Sequence, residues 1–100
     1  MSLVIDTPKE VLISINLVDD KRMLELNKEY KGKDAPTDVL SFNIDDDMQN
    51  KYYLGDIVVN KDQARRQAQE YGNTMEEEIS QLVSHGILHL LGVHHDGDDH

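Results

Sequence analysis

Four of the five histidines in this 100-residue chain lie in one twelve-residue stretch, HGILHLLGVHHD, which runs from His85 to Asp96. His85 and His89 are four residues apart in a segment with helical periodicity, so their imidazoles should project from one helix face, one turn apart. Gly92 should end this helix, because a residue without a Cβ tolerates left-handed backbone, and the chain can then return His95 towards the pair. The pattern predicts three imidazoles around one metal ion.

Three nitrogen ligands with one open coordination position are typical of a catalytic zinc site, and such an ion favours hydrolysis by making hydroxide available near neutral pH. The metalloprotease pattern H-E-x-x-H has its general base directly after the first histidine, where this chain has Gly86. A protease would therefore lack its base here. His94 is an alternative third ligand because it neighbours His95, and His100 has no assigned partner.

The composition is that of a small acidic protein. Twenty acidic residues against ten basic residues give a formal net charge of -10, which favours solubility and disfavours unaided binding of nucleic acid. There is no cysteine, so a disulfide framework, a thiolate metal site and a cysteine nucleophile are excluded. Neither a signal peptide nor a membrane span is predicted. We expect one cytoplasmic domain over residues 1–100 with no membrane association.

Hydrophobic periodicity predicts the elements that must position the histidines. The segment Val11–Val18 alternates as a half-buried strand does, and KRMLELNKEYKG should form a helix between the N-cap residues Asp19 and Asp20 and a stop at Gly32. The segment Thr37–Ile44 predicts a second strand and YYLGDIVVN a third. The polar stretch DDDMQNK between them is predicted to be the loop of an antiparallel hairpin.

Two further helices are predicted near the carboxyl end. KDQARRQAQEYG should end at Gly72, and Thr74 with Glu77 fits the capping box that begins the last helix. One apolar stripe of that helix should make it central and buried; it contains Ile79, Leu82, Val83, Gly86 and Leu90. Gly55 within the third strand indicates a bulge or a close approach of another backbone. The fold class is α+β, with a small mixed sheet of three or four strands packed with helices and the metal site on the last helix and following turn.

Three blocks of the sequence resemble the YbeY family of metal-dependent endoribonucleases. HGILHLLGVHH is similar to the family signature H-G-x-L-H-L-x-G-[YF]-D-H, and PTDVLSF and LGDIVV occur in the family's order. LNKEYKGKDA also resembles the usual LNxxYRGKD lead-in. The resemblance covers about Val11 to Asp96, and three blocks in order are more specific than one motif.

The resemblance implies a zincin-like hydrolase fold in which His85, His89 and His95 bind one zinc ion. It implies a single-strand endoribonuclease that matures the 3′ end of small-subunit ribosomal RNA and acts in ribosome quality control. The implied partners are single-stranded rRNA precursor and ribosomal proteins of the small subunit, with no DNA. Lys31 matches a family arginine that points into the cleft near the metal and is implicated in activity or RNA contact. The resemblance therefore implies that Lys31 completes the catalytic set with the three histidines. Lysine keeps the charge but lacks the planar fork that binds phosphate with two hydrogen bonds.

The chain departs from the family pattern at several points. Val93 and His94 replace the usual aromatic residue and aspartate. The family usually has a further strand and helix before the block at Val11 and a helix after the last histidine, so a short or truncated member is expected.

Three functions remain open from the sequence. The first is the zinc-dependent endoribonuclease, in which Lys31 would offset charge on the transition state. In that enzyme Asp38 and Asp56 would orient a histidine or relay a proton; otherwise they are ordinary turn or strand-end residues. The second is a zinc hydrolase for another substrate, such as an amidase or peptidase, which lacks a carboxylate base beside His85. The third is a metal-stabilised ribosome- or partner-binding module without nuclease activity, which the charge of -10 and the lysine at position 31 favour.

Overall fold

A computed structural model describes residues 10–92 of the chain. Its elements in chain order are β1 (Glu10–Val18), α1 (Asp20–Lys31), β2 (Val39–Met48), β3 (Lys51–Asn60), α2 (Lys61–Tyr71) and α3 (Met75–Leu90). The described strands form one three-stranded sheet in the order β1-β3-β2. β1 runs parallel to β3, whereas β2 and β3 form an antiparallel hairpin. The predicted α+β class and small mixed sheet are confirmed over this range.

Apolar residues cover both faces of this sheet. The face that packs against α1, here called the α1 face, contributes to a cluster of Met23, Leu26, Leu40 and Val58. The opposite face, here called the α3 face, contributes to a cluster with α2 and α3 that contains Val39, Leu54, Ile57, Val59, Ala64, Leu82 and Leu90. Burial on both faces explains the uninterrupted apolar run Ile57–Val59 in β3, because such a strand has no solvent-facing side.

Local sequence sets the helix ends as predicted. The Asp19 side chain accepts a hydrogen bond from a backbone N–H in the first turn of α1, and that helix ends at Gly32 in left-handed conformation. α2 ends in the same way at Gly72. At the start of α3, the Thr74 hydroxyl accepts from the Glu77 backbone N–H while the Glu77 carboxylate accepts from the Thr74 backbone N–H. The hydrogen bonds to Thr74 hold the pKa of Glu77 below its ordinary value.

The hairpin between β2 and β3 is longer than predicted. β2 continues to Met48, so the acidic run Asp45–Asp47 lies in a strand and the predicted polar loop is wrong. The turn consists only of Gln49 and Asn50. The Tyr52 hydroxyl of β3 donates a hydrogen bond of 2.8 Å to Asp45 across the hairpin. Cross-strand contacts of this kind outweigh the poor intrinsic strand preference of aspartate.

Asn60 joins the ends of several elements and was not predicted as a helix cap. It is 1% exposed, and its Oδ1 accepts from the backbone N–H groups of Asp62 and Gln63, which begins α2. Its Nδ2 donates to the Asp20 carboxylate over 2.8 Å and to the Thr37 carbonyl over 3.2 Å. This one amide therefore ties α1, the loop before β2 and α2 to the end of β3.

Within residues 10–92, no helix combines the length and the apolar character needed to cross a membrane.

Candidate metal centre

The middle of α3 lies very close to the sheet at Gly86. A Cβ added there would be 2.9 Å from Cγ2 of Ile57 and 3.1 Å from Oγ of Ser41. Real Cβ atoms do not approach a neighbour to 2.9 Å, so a larger residue would force the helix away from β3. Close packing therefore explains why position 86, where a metalloprotease has its catalytic glutamate, is glycine in this chain. A side chain at this position would point into the sheet.

Two polar side chains of β2 hold the last turns of α3 in place. The Ser41 hydroxyl donates to the Gly86 carbonyl over 3.2 Å, and the Asn43 amide donates to the Leu90 carbonyl over 2.8 Å. The second bond satisfies a carbonyl near the helix end that has no partner within the helix. Sequence periodicity placed Ser41 and Asn43 on one face of the strand, which is confirmed, but assigned them no role. Polar residues at alternate positions after the apolar Val39 are the sequence signal that could have indicated contacts with a helix on that face.

His85 and His89 lie together on one side of α3, as their spacing predicts. Their ring centroids are 4.5 Å apart at an interplanar angle of 63°, and their Nε2 atoms are 3.0 Å apart. His89 is 5% exposed and His85 is half-buried. The two nitrogens that could bind a cation therefore converge on one point in a largely desolvated position.

The donor set and its spacing fit a small divalent cation such as zinc. Two imidazole nitrogens bound to one tetrahedral zinc are roughly 3.3 Å apart, given the usual zinc–nitrogen distance. The observed Nε2–Nε2 distance of 3.0 Å is close to this value. Two neutral imidazoles can also form a hydrogen bond at this distance when one Nε2 carries the hydrogen and the other accepts it. The geometry therefore suits either a bound cation or a hydrogen bond between the two rings.

The predicted third ligand lies outside the described residues. His95, its alternative His94, and His100 all fall outside residues 10–92. Within that range no group of three or more histidines and carboxylates is arranged to hold a metal ion. The three-histidine site therefore stays a prediction. The structure brings together two of its predicted ligands, His85 and His89.

Lys31 lies on the other side of the sheet from these histidines. It is the last residue of α1, and its Nζ is 5.9 Å from the centroid of the Phe42 ring on the α1 face. His85 and His89 belong to α3, which covers the opposite face. The catalytic role predicted for Lys31 therefore stays a prediction, and its ammonium lies on the face opposite the two described histidines.

Asp56 and Asp38 have contacts away from the histidine pair. The Tyr53 hydroxyl donates a hydrogen bond to the Asp56 carboxylate, which raises the pKa of Tyr53 above its ordinary value. Asp56 alternates with Val58 and so lies on the α1 face. The Asp38 carbonyl accepts from the Asn60 backbone N–H over 2.8 Å, just before β2 begins. The Asp56 contact matches its strand interpretation, whereas the Asp38 contact is made by the backbone, so the role of the Asp38 carboxylate stays a prediction.

Comparison with known proteins identifies the family. The family model described as "Endoribonuclease YbeY" matches residues 2–100. The chain belongs to the YbeY family. The resemblance of the histidine block, PTDVLSF and LGDIVV to this family is thereby confirmed.

Individual relatives match most of this chain but only part of their own length. An endoribonuclease YbeY from Aquifex aeolicus is 48% identical over 86 residues, which are 86% of this chain and 57% of that protein. One from Sulfurihydrogenibium sp. is 50% identical over 90 residues, 89% of this chain and 59% of that protein. The solution structure of TM1509 from Thermotoga maritima matches with a TM-score of 0.61 and 37% identity, over 90% of this chain and 57% of that one. This YbeY chain thus spans less than two thirds of the length of these relatives.

Proposed function

We propose that this YbeY-family chain is a zinc-dependent single-strand endoribonuclease that matures the 3′ end of small-subunit ribosomal RNA and acts in ribosome quality control. The observation that carries the proposal is the convergence of the His85 and His89 Nε2 atoms to 3.0 Å. It occurs in the block that resembles the family signature. The relatives are named endoribonuclease YbeY, which supports RNA as the substrate class.

The proposed metal ligands are His85, His89 and His95, which hold one zinc ion through ring nitrogens. Bound there, zinc would supply Lewis acidity for phosphodiester hydrolysis. Burial of His89 restricts its ring, and the hydrogen bonds from Ser41 and Asn43 keep the helix segment that carries both histidines fixed on the sheet. This arrangement limits the reorganisation needed for the two rings to bind one ion.

Lys31 is proposed to contact the phosphate backbone of the RNA. Its ammonium lies on the α1 face, so it suits a phosphate some distance along the strand from the histidines. The net charge of -10 makes the surface attractive to basic ribosomal proteins of the small subunit, which are the proposed protein partners. The cytoplasm, where ribosomes are assembled, is the proposed location.

A second candidate is a metal-stabilised module that binds a ribosomal partner and does not cut RNA. Two observations favour it: the acidic surface, and the location of Lys31 on the face opposite the histidines. In this function the metal would only tie the residues after α3 to the domain. Zinc binding is common to both candidates, so RNA cleavage separates them.

A zinc titration of the metal-stripped chain tests the ligand set. We expect one ion per chain by calorimetry, and loss of that stoichiometric binding in His89→Ala. His100→Ala is the matched control and should bind as the wild type does, because it removes an imidazole outside the proposed ligand set. His94→Ala and His95→Ala, measured separately, identify the third ligand. Unchanged binding in His89→Ala would show that the site is wrong.

Incubation with a single-stranded RNA that carries the precursor 3′ end of small-subunit rRNA tests the activity. We expect cleavage that stops on chelation, returns when zinc is added back, and is absent from His89→Ala. Cleavage that survives both chelation and His89→Ala would come from a contaminant and would remove the nuclease proposal. Zinc binding without any cleavage, together with binding to a small-subunit ribosomal protein, would assign the second function.

A further inference from the structure

A cleft of about 270 Å³ opens on the α1 face, between α1 and the sheet. Leu26 and Val58 make part of its lining apolar, and Tyr30 and Phe42 contribute aromatic rings. Asp56 supplies a carboxylate at the same cleft. The histidines lie on the opposite face of the sheet, so the proposed metal centre does not account for this combination.

The aromatic rings of the cleft offer a stacking surface. The centroids of Tyr30 and Phe42 are 5.2 Å apart with an interplanar angle of 62°, so the two rings meet edge to face. Tyr30 is 59% exposed, and it shares the cleft lining with Leu26 and Val58 of the α1-face cluster. An exposed ring beside a half-buried one suits a flat ligand that stacks on aromatic side chains, as nucleobases do.

Positive charge adjoins the cleft in an otherwise acidic chain. The Lys31 ammonium lies 5.9 Å from the centroid of Phe42. A neighbouring recess of about 160 Å³ is lined by Lys31 and Lys33 and has no acidic residue in its lining. Two ammonium groups at one recess suit a phosphate, and the aromatic cleft beside it suits the base of the same nucleotide.

The carboxylate of Asp56 suggests which base the cleft would select. An ionised carboxylate only accepts hydrogen bonds. Guanine presents two adjacent donors on its Watson–Crick edge, whereas uracil has one N–H between two carbonyl acceptors. Asp56 should therefore attract guanine and repel uracil.

We propose that this cleft binds one unstacked nucleobase of single-stranded RNA, preferentially guanine, while Lys31 and Lys33 contact the adjoining phosphate. The inference rests on RNA being the substrate class proposed above, and it adds a base-selective subsite on the face opposite the histidines.

Binding of the labelled pentaribonucleotides UUGUU and UUUUU to the whole chain tests the proposal. Fluorescence anisotropy is measured with chelator present, so that cleavage does not interfere. We expect at least fivefold tighter binding of UUGUU. Tyr30→Ala should weaken its binding about tenfold, which is within the range for loss of one base–aromatic stack. Tyr71→Ala is the matched control, because this tyrosine at the end of α2 is 64% exposed and lies outside the cleft lining; it should bind as the wild type does.

Two more variants separate base recognition from phosphate contact. Asp56→Asn replaces the carboxylate by an amide of the same shape. We expect it to abolish the preference for UUGUU, by weakening UUGUU binding and by strengthening UUUUU binding as the repulsion of uracil is removed. Lys31→Ala should weaken the binding of both RNAs by a similar factor and reduce its salt dependence, because a phosphate contact does not distinguish one base from another. Far-ultraviolet circular dichroism of each variant checks that the fold is retained.

The outcomes distinguish this subsite from the nuclease proposal. Equal binding of UUGUU by wild type and folded Tyr30→Ala would overturn the subsite, whether or not the chain cuts RNA. If the chain discriminates between the two RNAs through Tyr30 and Asp56 and yet never cuts RNA, that result would support the subsite and contradict the nuclease proposal. Shifts of the Tyr30 and Phe42 resonances caused by an arginine-rich peptide, and not by either RNA, would assign the cleft to a protein partner and overturn the subsite.

Discussion

Replacement of Gly86 by alanine tests the close contact that fixes α3 on the sheet. The new Cβ would meet Cγ2 of Ile57 at 2.9 Å, Oγ of Ser41 at 3.1 Å and Cδ1 of Ile57 at 3.2 Å. Ile57 is 0% exposed and belongs to the central strand, so it cannot move aside without disturbing its own neighbours. Part of the strain must therefore be taken up by displacement of the helix.

Two opposing effects decide the size of the change. Inserting a methyl group into a packed interior typically costs about 1–3 kcal/mol. Glycine in a helix interior is less favourable than alanine by about 1 kcal/mol, which offsets part of that cost. We expect Gly86→Ala to lower the free energy of unfolding by about 1 kcal/mol. For a domain of this size that corresponds to a drop in melting temperature of roughly 4–8 °C.

Urea denaturation followed by circular dichroism measures this change. Ser84→Ala is a matched control on the exposed side of the same helix, where alanine adds helix propensity without a packing conflict. We expect the control to be unchanged or slightly stabilised. Ile57→Val, which removes one of the crowding methyl groups, should cost less in the Gly86→Ala background than in the wild type. A Gly86→Ala chain that gains stability as the control does, with no coupling to Ile57→Val, would refute the close contact.

Three further perturbations test other parts of the fold by denaturation. Gly55→Ala should lose at least 3 kcal/mol of stability, or fail to fold, because its Cβ would overlap the Phe42 carbonyl oxygen; a folded, stable variant would contradict the strand geometry. Asn60→Ala removes the cap of α2 and the amide's hydrogen bonds to Asp20 and Thr37, which should cost about 2–4 kcal/mol; Asn60→Asp keeps the cap but places a second carboxylate against Asp20, so it should recover only part of that loss. The hydrogen bond from Arg66 is the main reason that the pKa of Asp20 falls from 3.8 to about 2. The ionised Asp20 carboxylate therefore stabilises the fold above about pH 4, and this stabilisation is lost as the pH falls through about 2. Because Asp20 is partly exposed, Asp20→Asn should cost no more than about 1 kcal/mol at pH 7 and much less at pH 2, where about half of the folded chains have lost the charge; a constant difference across that range would contradict this ion pair.

The parts of the fold that sequence predicts are those set by neighbouring residues. The capping box of Thr74 and Glu77 and the helix stops at Gly32 and Gly72 depend on a few adjacent positions, and all of them are confirmed. The parts that sequence misses depend on distant residues. Asp46 and Asp47 form strand because Tyr53 and Tyr52 of β3 pair with them. Asn60 is a cap partly because Asp20 and Thr37 accept hydrogen bonds from its side chain.

The candidate site divides in the same way. His85 and His89 converge because four-residue spacing on a helix is a local property, so their pairing is predictable. The location of Lys31 follows from the side of the sheet on which α1 packs, and no local pattern encodes that choice. The α1-face cleft takes Tyr30 from a helix and Phe42 and Asp56 from two strands, so it is visible only once the topology is known.

β2 connects the two proposed sites, because its alternate residues serve opposite faces of the sheet. Ser41 and Asn43 hold the histidine helix on the α3 face, while Phe42 between them lines the cleft on the α1 face. β2 is also an edge of the described sheet. An RNA strand that passes around this edge could have a base in the cleft and a phosphodiester near the histidines a few nucleotides away. A shift of β2 by one residue relative to β3 would exchange the two sets of side chains and disrupt both sites together. The proposed base selection and the proposed RNA cleavage would therefore both depend on the register of this one strand.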